Sequence, residues 1–269
     1  MRKPFQQGVF DMKNEISNLG VKRLEIKKQR MKNLLKIANP DEALYREIML
    51  SLGYRNNKPQ FLELALITPY SEVRKLKDRE KIQHALTHRA GFTDSNGELE
   101  NFDYSLKMDK KVWNLKRVRP ANHPQNRIKQ VSYLLSETVK SGGIFNFFKS
   151  KIEVNCLINW EDDFKTNQKI ACRVVKEIMN FSGIGEERRV EMFFNIILPF
   201  FLVIYEEAQN YKMVGFLEDL YNYHRSPSPN SIIKNMQKEL NIKKVNSVKE
   251  YMALIQFYYE TKGESGDEY

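Results

Sequence analysis

Residues 119–143 read RPANHPQNRIKQVSYLLSETVKSGG, and this stretch decides the fold. A proline ring disfavours the helical region for the residue before it, so Pro120 pushes Arg119 into extended backbone and Pro124 does the same to His123. Asn122 or His123 then ends the connector, and Pro124 takes the first helical turn, where its missing N–H is no loss. Ile128, Val131, Leu134, Leu135 and Val139 follow at three- and four-residue spacing. That stripe winds down one face of an α-helix, and Gly142-Gly143 stops it.

The same grammar recurs on both sides. Asn39-Pro40-Asp41-Glu42 supplies an N-cap, a first-turn proline and first-turn acids, with Leu44, Tyr45, Ile48, Met49 and Leu52 on one face and Gly53 as the stop. Asn57 and Pro59 open a helix carrying Phe61, Leu62, Leu64 and Ala65. Asp78 to Arg89 carries Ile82, Ala85 and Leu86 ahead of Gly91. Further stripes are Val174, Val175, Ile178 and Met179, then Ile232, Ile233, Met236 and Leu240, then Val248, Tyr251, Met252 and Ile255. No segment sustains alternation at period two. The expected class is all-α, a multi-helix, bundle-like array.

Residues 192–205, MFFNIILPFFLVIY, form the most apolar run of the chain, 14 residues long. A membrane-spanning helix needs about 20 apolar residues, and this run contains Asn195 and Pro199. It is expected to be a buried central helix kinked at Pro199. No targeting segment is legible at Met1-Arg2-Lys3-Pro4-Phe5, so the expected compartment is the cytoplasm, with no membrane partner.

A length of 269 residues with 41% hydrophobic and 12% aromatic residues suits a folded core and excludes a disordered chain. The expected organisation is a single helical domain over 1–269, with a candidate subdivision in the polar, turn-rich stretch 91–103. Arg225-Ser226-Pro227-Ser228-Pro229-Asn230 reads as a short connector in which Asn230 or Ser231 caps the next helix. The acidic tail after Lys262 reads as frayed. Cys156 and Cys172 offer neither a disulfide framework nor a zinc spacing, and read as reduced thiols.

Charge is unevenly spread. The whole chain carries +10, residues 1–36 carry +7 and residues 101–130 carry +6, leaving the remainder slightly acidic at −3. The basic N-terminal helix, with Lys27, Lys28 and Arg30, presents either a solvated face or a surface that lies along phosphates. Lys110, Lys111, Trp113, Lys116 and Arg117 lead into the corner at Arg119, Asn122, His123 and Arg127. Arg119 and Arg127 either fix the angle between helices by pairing with buried carboxylates or carbonyls, or form a forked anion site at a helix start.

Several motifs fall in a characteristic order. They are Gly20 to Arg30, Ala43-Leu44-Tyr45, Leu52-Gly53-Tyr54 with Asn57 and Phe61, Ala90-Gly91, and the basic stretch ending at Trp113. Arg119 to Pro124 with Arg127, Ile184-Gly185, Asn195 with Leu198-Pro199, and Leu254-Ile255-Gln256 continue the series. Over roughly residues 15–260 the chain resembles the C-terminal helical half of the bacterial domain of unknown function 2851 family, which has no established activity. Longer members carry an N-terminal half with Gly-Pro-Asp-Phe and Gly-Asp-Val-Glu-type motifs, similar to the metal-binding carboxylates of restriction-endonuclease-like folds. No such motif occurs in this chain, and Thr261-Lys262-Gly263 stands where cysteines often follow the Leu-Ile-Gln segment. The resemblance therefore implies a helical fold and does not carry nuclease chemistry with it.

The remaining catalytic candidates are weak. His84 and His88 share a helix face but lack a third ligand nearby. Glu161-Asp162-Asp163 is an adjacent triplet whose carboxylates diverge, and reads as a solvated cap. There is no glycine-rich phosphate loop and no nucleophile elbow. The expectation is a non-catalytic helical binding module, without metal or cofactor, that contacts DNA or RNA through a basic face and forms the separated half of a nuclease-like system. The alternative is a helical scaffold whose partner is a protein, including one that supplies the nuclease-like half; a freestanding enzyme ranks below both. The two basic segments are expected to form, or lie near, one electropositive face.

Overall fold

The computed structural model describes residues 4–53, 56–94, 99–100, 102–116 and 118–262, with side chains from Ser17 onward. In chain order the helices are α1 (Pro4–Leu35), α2 (Pro40–Leu52), α3 (Lys58–Ile67), α4 (Tyr70–Leu76), α5 (Arg79–Arg89), α6 (Pro124–Lys140) and α7 (Ile144–Asn155). They continue as α8 (Phe164–Ile178), α9 (Glu186–Met192), α10 (Leu198–Glu207), α11 (Tyr211–Tyr223), α12 (Ser231–Glu239) and α13 (Val248–Lys262). No strand occurs among the described residues, so the protein is all-α. One isolated antiparallel bridge joins Arg225 to Ser247. No helix among them is long and apolar enough to cross a membrane.

The chain divides into two compact units that interleave in sequence. The first comprises Met1–Asn33, Asn155–Glu177 and Phe193–Tyr269; the second comprises Leu34–Val154 and Ile178–Met192. The stretch 91–103 lies inside the second unit; its residues 95–98 and 101, like the tail 263–269, lie outside the described residues.

In the first unit, α10 is the apolar centre. From Phe193 to Tyr205 every residue except Asn195 and Ile204 is buried. The expected irregularity at Pro199 takes a definite form: Phe193–Ile197 is a turn of π-helix leading into α10, with Pro199 in the first turn. A proline ring clashes with the carbonyl four residues earlier, here that of Asn195, and widening the turn relieves the clash. The Asn195 side chain accepts a hydrogen bond from Lys27 Nζ at 2.6 Å. Gly20 lets α1 approach the start of α13, since a Cβ there would lie 2.7 Å from the Lys249 carbonyl oxygen. The Gly20 carbonyl accepts from the buried Tyr221 hydroxyl at 2.9 Å.

The second unit packs α2 against α3, and α5 against α6. Asn39 caps α2 through Glu42 N at 3.0 Å, as its sequence position implies. Asp41, one of the first-turn acids, accepts from Phe145 N at 2.8 Å and so fixes the entry to α7. Gly143 makes room for it: the residue has φ 135, and a Cβ there would come within 2.6 Å of both Asp41 carboxylate oxygens. Beneath this surface lies a polar core. Tyr70 N donates to Glu42 Oε2 at 2.8 Å, and the Tyr70 hydroxyl meets Thr138 Oγ1 at 3.1 Å. Burial pushes the Tyr70 hydroxyl pKa up to about 12.

Candidate functional site

The basic strap of the second unit is held from below. Met108 N donates to the Arg89 carbonyl at 2.8 Å, and Trp113 Nε1 donates to the Ala90 carbonyl at 2.8 Å. Trp113 is 4% exposed and packs edge-on against Phe61, with ring centroids 5.1 Å apart. Asn57 and Asn114 exchange two hydrogen bonds, Nδ2 to the Asn114 carbonyl at 3.0 Å and Asn114 N to Asn57 Oδ1 at 2.8 Å. Asn57 thus spends its side chain on the strap and makes no cap hydrogen bond to α3. Gln60 Nε2 adds a bond to the Val112 carbonyl at 3.0 Å. Trp113 is therefore an anchor, buried away from any ligand.

On this support Lys110, Lys111, Lys116 and Arg119 are exposed. None of them makes an ion pair among the described residues. Arg117 lies outside the described residues.

The corner forms as its prolines dictate. Arg119 and His123 are both extended (φ −62, ψ 144 and φ −59, ψ 134), and Pro120–Asn122 makes one turn of 3-10 helix between them. Asn126 Nδ2 donates to the Pro120 carbonyl at 2.7 Å, closing the turn from the first residues of α6. The two arginines that flank it separate. Arg127 is buried and donates to Gln130 Oε1 at 2.9 Å and to Asn122 Oδ1. These two acceptors are side-chain amides, one on α6 itself and one in the turn that precedes it. Arg119 stays in solvent. His123 is half-buried, its ring 6.1 Å from Phe92, and Asn122 is occupied by Arg127. The expected Arg119–Arg127 fork is not assembled.

The basic segment of α1, in the first unit, is spent on packing. Lys27 is bonded to Asn195, and Lys28 is buried between Glu25 (2.7 Å) and Glu206. Burial works against the Lys28 charge, but the hydrogen bonds to Glu206 and Glu25 together outweigh it and hold its pKa above the ordinary lysine value. Lys22 pairs with Glu260 at 2.8 Å, and Arg23 is buried with its guanidinium 5.1 Å from the Tyr259 ring centre. Arg30 is half-buried and also has an interaction within the chain. Lys27, Lys28 and Arg30 thus belong to one unit, and Lys110, Lys111 and Arg119 to the other.

The two histidines of α5 join an aromatic cluster. His88 packs edge-on to Tyr104 (4.9 Å) and Phe102 (6.0 Å), with Nε2 3.0 Å from the Tyr104 carbonyl oxygen; His84 lies 6.4 Å from Tyr104. Asp163 caps the start of α8, accepting from Thr166 N at 2.8 Å and its hydroxyl at 2.7 Å, and these bonds hold its carboxyl below the usual range. Glu161 and Asp162 are exposed beside it, the solvated cap expected. Cys156 and Cys172 are half-buried, and neither takes part in a disulfide among the described residues. Among the described residues no three His, Cys, Asp or Glu side chains gather where they could hold a metal ion.

The sequence reading passed over Arg89, the largest fully buried side chain, at 1% exposure. It donates to Glu72 Oε1 at 2.8 Å and to the Ile67 carbonyl, and stacks 4.6 Å from the Phe102 ring centre. The available signal was its place between Leu86 and Ala90 on the apolar side of α5.

A family model described as "Protein of unknown function (DUF2851)" matches residues 6–226. No curated protein and no solved structure matches the chain.

Proposed function

For a chain that belongs to the DUF2851 family of proteins of unknown function, we propose a function from the strap: a non-catalytic helical binding module that contacts the phosphate backbone of nucleic acid through Lys110, Lys111, Lys116 and Arg119. One observation carries this reading. These four side chains are exposed, make no ion pair among the described residues, and ride on a backbone fixed by Trp113, Asn57 and Gln60. Exposed cations on a held backbone, without an ion pair among the described residues, are arranged in advance for a polyanion, and each phosphate they neutralise releases a counterion. In this reading the chain serves as the helical half of a nuclease-like system and works with a nuclease-like protein partner.

The test is a titration of a labelled single-stranded oligonucleotide across a salt series. Four phosphate contacts give a log–log slope of about −3. Lys110→Glu/Lys111→Glu/Arg119→Glu should lose affinity about equally for all base sequences, because phosphate contacts carry no base information. No binding at low salt by the folded wild type ends this reading and leaves a protein partner as the alternative.

A further inference from the structure

A second basic surface lies around α12 of the first unit, in a part of the chain to which the charge census did not point. α12 is capped by Asn230, whose side chain accepts from Ile233 N at 3.0 Å, and buries Ile233 and Met236. Lys234 and Lys238 are exposed one turn apart. Asn241 then turns the chain with left-handed backbone (φ 51), and Ile242 N bonds back to the Gln237 carbonyl at 2.8 Å. That return brings Lys243 to the helix end. The result is an open groove of about 430 Å³ lined by Lys234, Gln237, Lys238, Asn241, Ile242 and Lys243, with the exposed Lys244 next in sequence.

Helix-terminus electrostatics does not account for this much charge. The C-terminal end of a helix carries the equivalent of about half a negative charge, which a single lysine satisfies. Lys234, Lys238, Lys243 and Lys244 make no ion pair among the described residues, and no acid lines the groove; Glu239, the one acid of α12, is not among its lining residues.

We infer that this groove binds the phosphodiester backbone of a single nucleic-acid strand. Residues four apart on a helix rise about 6 Å, a separation of the same order as that between consecutive phosphates along a strand. Asn241 adds a side-chain amide to the lining, suited to phosphate and sugar oxygens, while the Gln237 amide donates to the Ile242 carbonyl at 3.5 Å. A lipid surface fits less well. None of the exposed large hydrophobic side chains among the described residues falls between 231 and 247, whereas interfacial binding needs apolar side chains to insert. The site stands independently of the strap, since its residues belong to the other unit.

The experiment uses the full chain, a labelled 20-nucleotide oligothymidylate and a salt series. Lys234→Glu/Lys238→Glu/Lys243→Glu should weaken binding at least tenfold at low salt and reduce the log–log slope by about 2, for three lost contacts on a single strand. The corresponding triple arginine variant should bind as wild type does. Melting temperatures check that both variants fold, and a triple glutamine variant replaces the glutamate one if it does not. Unchanged affinity and slope in the folded variant overturn the inference, even if the strap variant loses binding. Binding to phosphatidylserine vesicles that is lost in the same variant, with oligonucleotide binding unchanged, also overturns it.

Discussion

In α1, Lys28 sits buried between Glu25 and Glu206, Lys27 bonds Asn195 and Arg23 stacks near Tyr259. Along the strap, Lys110, Lys111, Lys116 and Arg119 stand in solvent without an ion pair among the described residues. Net charge per segment, +7 over 1–36 against +6 over 101–130, does not separate these cases. Local geometry does. The packed face of α1 carries Arg23 and Lys28 beside Leu24 and Met31, so Lys28 is turned inward, where Glu206 of α10 and Glu25 of α1 itself meet it. A strap held by backbone bonds and one buried tryptophan has an outer edge with no neighbour, so its cations stay wet.

The sharpest way to break this division is to cut the most deeply absorbed cation. Arg89→Ala leaves Glu72 and the Ile67 carbonyl without their donor inside the second unit. The expected loss is about 3–5 kcal/mol, as for breaking a buried pair by removing one partner. A urea melt measures it. A loss below about 1 kcal/mol would show that burial in this unit does not consume charge in the way argued.

Acid tests the first unit in the same sense. His224 is buried, with Nδ1 2.7 Å from the Arg225 carbonyl oxygen and its ring 4.8 Å from that of Phe194. Burial holds its pKa down to about 4, from an ordinary value near 6.5. Between those values the unfolded chain takes up a proton that the folded chain refuses. The contribution is thus fully present above pH 6.5 and declines as pH falls toward 4. About 3 kcal/mol is at stake over the whole interval. His224→Gln should flatten the stability profile over that window; a mutant and wild type with parallel profiles would refute the assignment.

Lys28→Ala is the direct probe of α1. Glu206 is partly exposed and can recover water, so the cost should be smaller, about 1–2 kcal/mol. Binding to oligonucleotide should be unchanged, because this cation has no free face to offer. A mutant of wild-type stability that binds less tightly would move Lys28 from the absorbed class to the exposed one.

Helix starts, stops and apolar stripes were legible in the sequence because each depends on a few neighbouring residues. Asn39, Asp78, Asn230 and the Arg119–Pro124 corner all act where local rules place them. The site was only half legible. Lys110, Lys111 and Arg119 stand exposed as a basic run suggests, but whether a cation finds an acid depends on residues far along the chain. Lys28 and Glu206 are 178 positions apart. Trp113 and Arg127 were named as binding residues for their neighbourhood; Trp113 is turned inward by the Ala90 carbonyl, 23 positions back, and Arg127 by its near neighbours Asn122 and Gln130, a pairing that its place in a basic run does not reveal. The α12 groove was missed for a related reason. Lys234 and Lys238 were visible at helical spacing, but the left-handed Asn241 that folds Lys243 back toward them was not.

The smallest expected effect on stability belongs to Arg119→Ala, and it separates the two arginines of one corner. Arg119 is exposed and makes no ion pair among the described residues, so its removal should change stability by less than about 0.5 kcal/mol, the range of an ordinary surface substitution. Arg127, eight residues further along the same strap-to-helix path, has lost that freedom to Asn122 and Gln130. If the strap binds phosphate, Arg119→Ala lowers oligonucleotide affinity and reduces the salt slope by a little under 1, while the melting temperature stays where it was. A clear drop in melting temperature would mean that Arg119 also holds the corner together, and the distinction between cations kept by the fold and cations left for a partner would fail at the residue where it is drawn most finely.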